Sequence, residues 1–141
     1  MLNRTQARSH CAQRGIRRVA AMAVILLGAG LYALGAQPFA VGLFPAPWDK
    51  LAHVTTFALI GAATGLASGE RGWRMLLYCV AGAMLTGAMD ELHQAYLPGR
   101  TASWADLRAD AIGGLIGAAL PGLVHRLLQQ RAVAAPTPTH H

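Results

Sequence analysis

MLLYCVAGAMLTGAMDELHQAY, residues 75–96, decides the fold. From Met75 to Met89 it is apolar or small, and nothing in the stretch breaks a helix before Pro98, which restricts the residue ahead of it. A helix that starts in hydrocarbon therefore runs straight into Asp90, Glu91, His93 and Gln94. Ionisable side chains cost about 2.5–3.5 kcal/mol each near the centre of a membrane helix, so such a block needs a partner or a function. Of the six acids in the chain, four lie between positions 90 and 110.

The rest of the chain is of the same kind. Its 141 residues are 54% hydrophobic and 13% charged, long enough for one domain and too apolar for an ordinary soluble one. Besides 75–89, the apolar weight falls on 19–36, 51–68 and 111–128. A helix of about 18 residues reaches about 27 Å, near the roughly 30 Å of hydrocarbon, so each stretch can span, the third by continuing through the polar block. The expected fold is all-α, a four-helix transmembrane bundle over residues 19–128. A basic cytoplasmic tail, 1–18, precedes it, and a disordered one rich in Ala, Pro and Thr, 129–141, follows. The first span also has the outline of a signal peptide, with basic residues before it and Leu34-Gly35-Ala36 near its end. Its apolar run exceeds the roughly 7–15 residues of such a segment, which favours a retained helix.

Charge orients the bundle. Arg4, Arg8, Arg14, Arg17 and Arg18 precede the first span, Arg71 and Arg74 lie between the second and third, and Arg126 and Arg131 close the fourth: nine of the twelve basic residues, with Glu70 the one acid beside them. The positive-inside rule makes that side cytoplasmic, placing both termini inside and the polar block outside, in a multi-pass inner-membrane protein. A net charge of +6 would suit nucleic acid, but these residues flank spans and read as contacts to the membrane surface. Trp48, Tyr96 and Trp104 at the outer boundary, and Trp73 at the inner one, read as interfacial anchors. Cys11 and Cys79 fall at different depths and pair neither as a disulfide nor as a zinc motif.

Three helices aim polar groups at one outer layer. Asp49 and His53 are four apart and share a face; Asp90 lies three before His93 and four before Gln94. Asp106, Asp110, Gly113 and Gly117 form one stripe on the fourth span, running from acid into a close-packing surface like that of Gly61 and Gly65 on the second. Counted from the helix ends, His53, Asp90 and Asp110 fall about 6–9 Å deep at 1.5 Å per residue. Pro98-Gly99 reads as the centre of a type II turn that holds Arg100 over the layer, and Pro121 is expected to kink the fourth span by freeing the Gly117 carbonyl.

Together, Asp49-Lys50-x-x-His53, Asp90-Glu91-x-His93-Gln94, Pro98-Gly99-Arg100 with Ser103, and Asp106-x-x-x-Asp110-x-x-Gly113-x-x-x-Gly117 resemble the motif series of VanZ-like membrane proteins over positions 48–117. The resemblance implies a small multi-helix membrane protein, and the name-giving member is associated with resistance to the glycopeptide teicoplanin.

The residues support several chemistries. Asp49, His53, Asp90, His93 and Arg100 are the candidate catalytic groups, with Lys50, Glu91, Gln94, Asp106 and Asp110 as binding groups. A histidine beside carboxylates serves as general base and an arginine holds a phosphate bidentately, which suits a lipid-linked envelope precursor as partner. The same ligands suit a divalent cation, although no spacing selects a metal or another cofactor. The alternative is that the cluster binds a headgroup or specifies helix packing without turnover. Each residue also has a plainer reading: Ser103-x-x-Asp106 as a capping box, Arg100 as the ion-pair partner of Asp90 or Glu91, Glu91 turned about 100° from Asp90 toward water or headgroups, and His53 and His93 as packing residues.

Overall fold

The computed structural model describes residues 4–133, with side chains from 10 to 130. The described residues are helical throughout, without strands: α1 (Arg4–Gly35), a 3₁₀ turn (Pro38–Ala40), α2 (Trp48–Ser68), α3 (Gly72–Gln94), α4 (Trp104–Gly117) and α5 (Ala119–Val133). Among them, four segments are long and apolar enough to cross a membrane: His10–Gly35, Trp48–Ser68, Gly72–Gln94 and Trp104–Gln130. The last comprises α4 and α5, and the helical hydrogen bonding is interrupted around Ala118, where Pro121 has no N–H to give the Gly117 carbonyl. Ala118 itself keeps helical dihedrals (φ −65°, ψ −17°) at this interruption.

Of the basic stretch before the first span, expected as a tail over 1–18, residues 4–18 are part of α1, and 1–3 fall outside the described residues. A helix of 32 residues reaches about 48 Å, well beyond the hydrocarbon, so its arginine-bearing turns extend past the apolar part. Arg17 Nε donates to the Ala67 carbonyl at 3.1 Å, placing a cation on the unsatisfied C-terminus of α2, which ends at the left-handed Gly69 (φ 68°). The proposed disordered tail also yields five residues to helix, 129–133 lying within α5; 134–141 fall outside the described residues.

α2 is the central helix, packed against α1, α3 and α4 and touching α5. Phe57, Ile60 and Ala83 are fully buried, and Leu27 and Leu31 of α1 lie against them. α1 therefore belongs to the packed bundle, which its removal as a signal peptide would strip of one wall. Many of the other large apolar side chains, Ile25, Leu59, Leu77, Leu85 and Ile116 among them, are exposed. That distribution fits lipid as solvent, because water would leave this area as one large exposed patch. Trp48, Trp73, Tyr96 and Trp104 are likewise exposed, as interfacial anchors would be.

Backbone approach between α2 and α4 rests on the glycine stripe. A Cβ at Gly113 would lie 2.6 Å from the Val54 carbonyl oxygen and 2.9 Å from the Ala58 nitrogen, and one at Gly61 2.9 Å from the Gly114 Cα. These obstacles are backbone and yield poorly, so Gly113→Ala should destabilise the bundle by about 1–3 kcal/mol. Gly15→Ala, where a Cβ meets nothing within 4 Å, should be neutral or slightly stabilising. Thermal melts of the detergent-solubilised variants check this, and equal melting points would reject the close-contact account.

Candidate functional site

The site lies where the ends of α1, α2 and α3 meet the start of α4. Chain reversal between α3 and α4 is a type II turn as expected: the Arg100 N–H donates to the Leu97 carbonyl at 3.2 Å, and Gly99 takes a φ of 76°, which a side chain would resist. Ser103 then starts α4, its hydroxyl accepting from the Ala105 and Asp106 N–H groups. The capping box is not reciprocal, however. The Ser103 N–H donates to Glu91 at 2.5 Å, and Asp106 is left to bind Lys50.

A cavity of about 580 Å³ opens among these elements, and Asp49, His53, Asp90, Gln94, Arg100 and Asp106 all line it. Leu27, Leu31 and Leu34 of α1 and Phe39 and Phe44 of the following segment form an apolar wall. One side of the cavity thus suits hydrocarbon and the other a polar group.

Within the polar side each group has a defined setting. His53 Nδ1 donates to Asp110 Oδ1 at 2.8 Å, and Asp110 is wholly buried (0% exposed). Room for that carboxylate comes from Gly87, one turn before Asp90 on the same face of α3: a Cβ there would collide with it. Gln94 Nε2 donates to Asp90 Oδ2 at 2.7 Å within α3. Lys50 Nζ bonds Asp49 at 2.9 Å and also Asp106. One ligand atom each from His53, Glu91 and Asp106 lies within 4.8 Å of the others.

Several expectations need correction. Glu91, a binding candidate with a plainer reading toward water or headgroups, is 7% exposed, because the Ser103 N–H arriving from the next loop gives it an inward partner, and the plainer reading falls. Arg100 forms no ion pair with Asp90 or Glu91; its Nη2 donates to the Gly35 carbonyl of α1 at 3.2 Å. Lys50, a binding candidate, bonds two carboxylates, Asp49 and Asp106. His93 lies outside the cavity lining, stacked on Tyr32 of α1 with ring centroids 3.6 Å apart and planes 9° from parallel. Tyr32, Gly35 and Gly87 went unnoticed in the sequence. Of these, only Gly87 carried a local signal, its spacing of three from Asp90.

Buried polar atoms with no protein partner concentrate here: Asp90 Oδ1, Glu91 Oε1, His93 Nδ1, Arg100 Nε and Asp110 Oδ2. Native structures leave few such atoms, since each forfeits its hydration, and a group of them marks a place for water, an ion or a ligand.

Compared with curated proteins and with solved structures, the chain has no match. Against protein families it does: the VanZ/LLP1 family model covers residues 6–125, and the chain, with its membrane-length helices and this polar layer, belongs to that family.

Proposed function

We propose that this VanZ-like protein binds the phosphorylated headgroup of an envelope lipid in the α1–α4 cavity, with the acyl or prenyl chain along the α1 wall. One observation carries the reading. Arg100 and Asp90 line the same cavity as an apolar wall, and each keeps a buried atom, Arg100 Nε and Asp90 Oδ1, with no partner among the described residues. A guanidinium fork matches a phosphate, and the wall matches hydrocarbon. His53, oriented by Asp110, is the group placed to accept a proton if binding is followed by reaction. The test is direct binding of the purified protein in phosphatidylcholine nanodiscs doped with a polyprenyl phosphate, against nanodiscs with the corresponding alcohol. Equal binding of the two would reject the phosphate reading.

The same reading sets the protein in the inner membrane with both termini cytoplasmic and the cavity outward, on the strength of the arginines at the opposite end. A single cysteine at position 102 should then react with a membrane-impermeant thiol reagent in intact cells, with Cys11 and Cys79 replaced by serine. Labelling only after the membrane is opened would reverse the orientation. A role in glycopeptide tolerance is part of the proposal, suggested by the resemblance to VanZ-like proteins, and teicoplanin susceptibility with and without the gene tests it.

A second reading, in which the charges only specify packing, is favoured by the Lys50–Asp106, His53–Asp110 and Gln94–Asp90 contacts. Asp90→Asn keeps an acceptor for Gln94 while removing the charge. Retained melting with lost lipid binding supports the binding site, and retained binding with lost stability supports packing.

A further inference from the structure

We infer that His53, Glu91 and Asp106, one residue each from α2, α3 and α4, form a site for one divalent cation beside the cavity that His53 and Asp106 line. The inference deepens the reading above by giving the phosphate site a metal.

Three features support it. The three residues come from α2, α3 and α4, yet bring one ligand atom each within 4.8 Å of the others, as ligands of one ion must be. Two of the three have a ligand atom to give, and Asp106 is shared with Lys50. Glu91 Oε2 is held by the Ser103 N–H, leaving Oε1 buried and without a partner in a residue only 7% exposed. His53 Nδ1 is taken by Asp110, so Nε2 is the nitrogen free to bind, and a buried carboxylate on the far ring nitrogen is the usual support of a metal-ligating histidine.

Charge points the same way. Asp49, Asp90 and Asp106 line the cavity with Arg100, Lys50 bonds Asp49 and Asp106, Glu91 and Asp110 are buried near His53, and Arg108 is exposed. When ionised, five carboxylates outnumber two cations in a poorly solvated place. One imidazole with two carboxylates suits Mn²⁺ or Zn²⁺ and places the ion where an anionic ligand of Arg100 can share it. Lys50, a point charge on a flexible stem at Asp106, is the competing cation.

The test is Mn²⁺ binding to the purified full chain, followed by electron paramagnetic resonance, with no phospholipid phosphate present and with His140 and His141 replaced by alanine. One ion per chain is expected, with nitrogen coupling that disappears in His53→Gln. Glu91→Gln, which keeps an acceptor for Ser103, and Asp106→Asn should each weaken binding at least about 10-fold. Lys50→Gln should strengthen it. Absence of Mn²⁺ and of Zn²⁺ from the wild-type protein at one ion per chain overturns the site whatever the variants do, as does wild-type affinity in both carboxylate variants. Nanodisc binding of the polyprenyl phosphate is a separate measurement, so loss of one reading leaves the other standing.

Discussion

Arg100→Lys should lower affinity for a polyprenyl phosphate by about 10–100-fold, or roughly 1.4–2.7 kcal/mol, while the protein inserts and melts like wild type. The residue sits in the α3–α4 turn, partly exposed, and among the described residues its side chain makes a single hydrogen bond, to the Gly35 carbonyl. Losing that bond costs little fold stability, about 0.5–1.5 kcal/mol at most. A ligand would lose more. The guanidinium reaches Gly35 with Nη2 while keeping Nε for a second acceptor, and an ammonium is one point charge that cannot fork. His53→Ala should remove binding as well, but at a cost to the fold: it leaves the wholly buried Asp110 without its donor, and breaking a buried pair in this way costs about 3–5 kcal/mol. Unchanged phosphate affinity in Arg100→Lys would take Arg100 out of the site.

The contrast between those two residues shows what a sequence makes legible. Spacing rules act within one element, and they held. The unbroken run into Asp90 is one helix, Pro98-Gly99 is the turn, Ser103 caps α4, and the Gly113 to Gly117 stripe is where α4 meets α2. Such rules state which face a side chain takes and leave open who waits there. For Glu91 the angle left a turn to the outside open, yet its partner is a backbone N–H twelve residues on; Arg100 found a carbonyl 65 residues back, in a first span that had shown only an apolar run ending in Leu34-Gly35-Ala36. His93 shares the periodicity of the polar block and still leaves the cavity, because an aromatic ring from α1 stacks on it. Each miss is a choice of tertiary partner, made by groups with no regular spacing from the residue they bind.

Gly87→Ala should disable the site without removing a polar atom from it. A Cβ at position 87 falls on the Asp110 carboxylate, with Asp110 Cγ 2.9 Å away, and the wholly buried side chain has little room to withdraw. Moving it breaks the His53 bond, worth about 1.5–3 kcal/mol for a charged partner, on top of an overpacking strain of about 1–3 kcal/mol. A stability loss of about 3 kcal/mol and a large fall in ligand binding are therefore expected together. The second step separates them. Gly87→Ala combined with Asp110→Ala relieves the collision, so the double variant should be less destabilised than the sum of the two single changes, a coupling that a double-mutant cycle reads from melting curves. Ligand and Mn²⁺ binding should stay lost, because His53 has still lost the group that orients it. If the double variant regains binding along with stability, Asp110 is only a filler between α2, α3 and α4, and the polar layer is packing. If it regains stability alone, the bundle is built to hold that histidine.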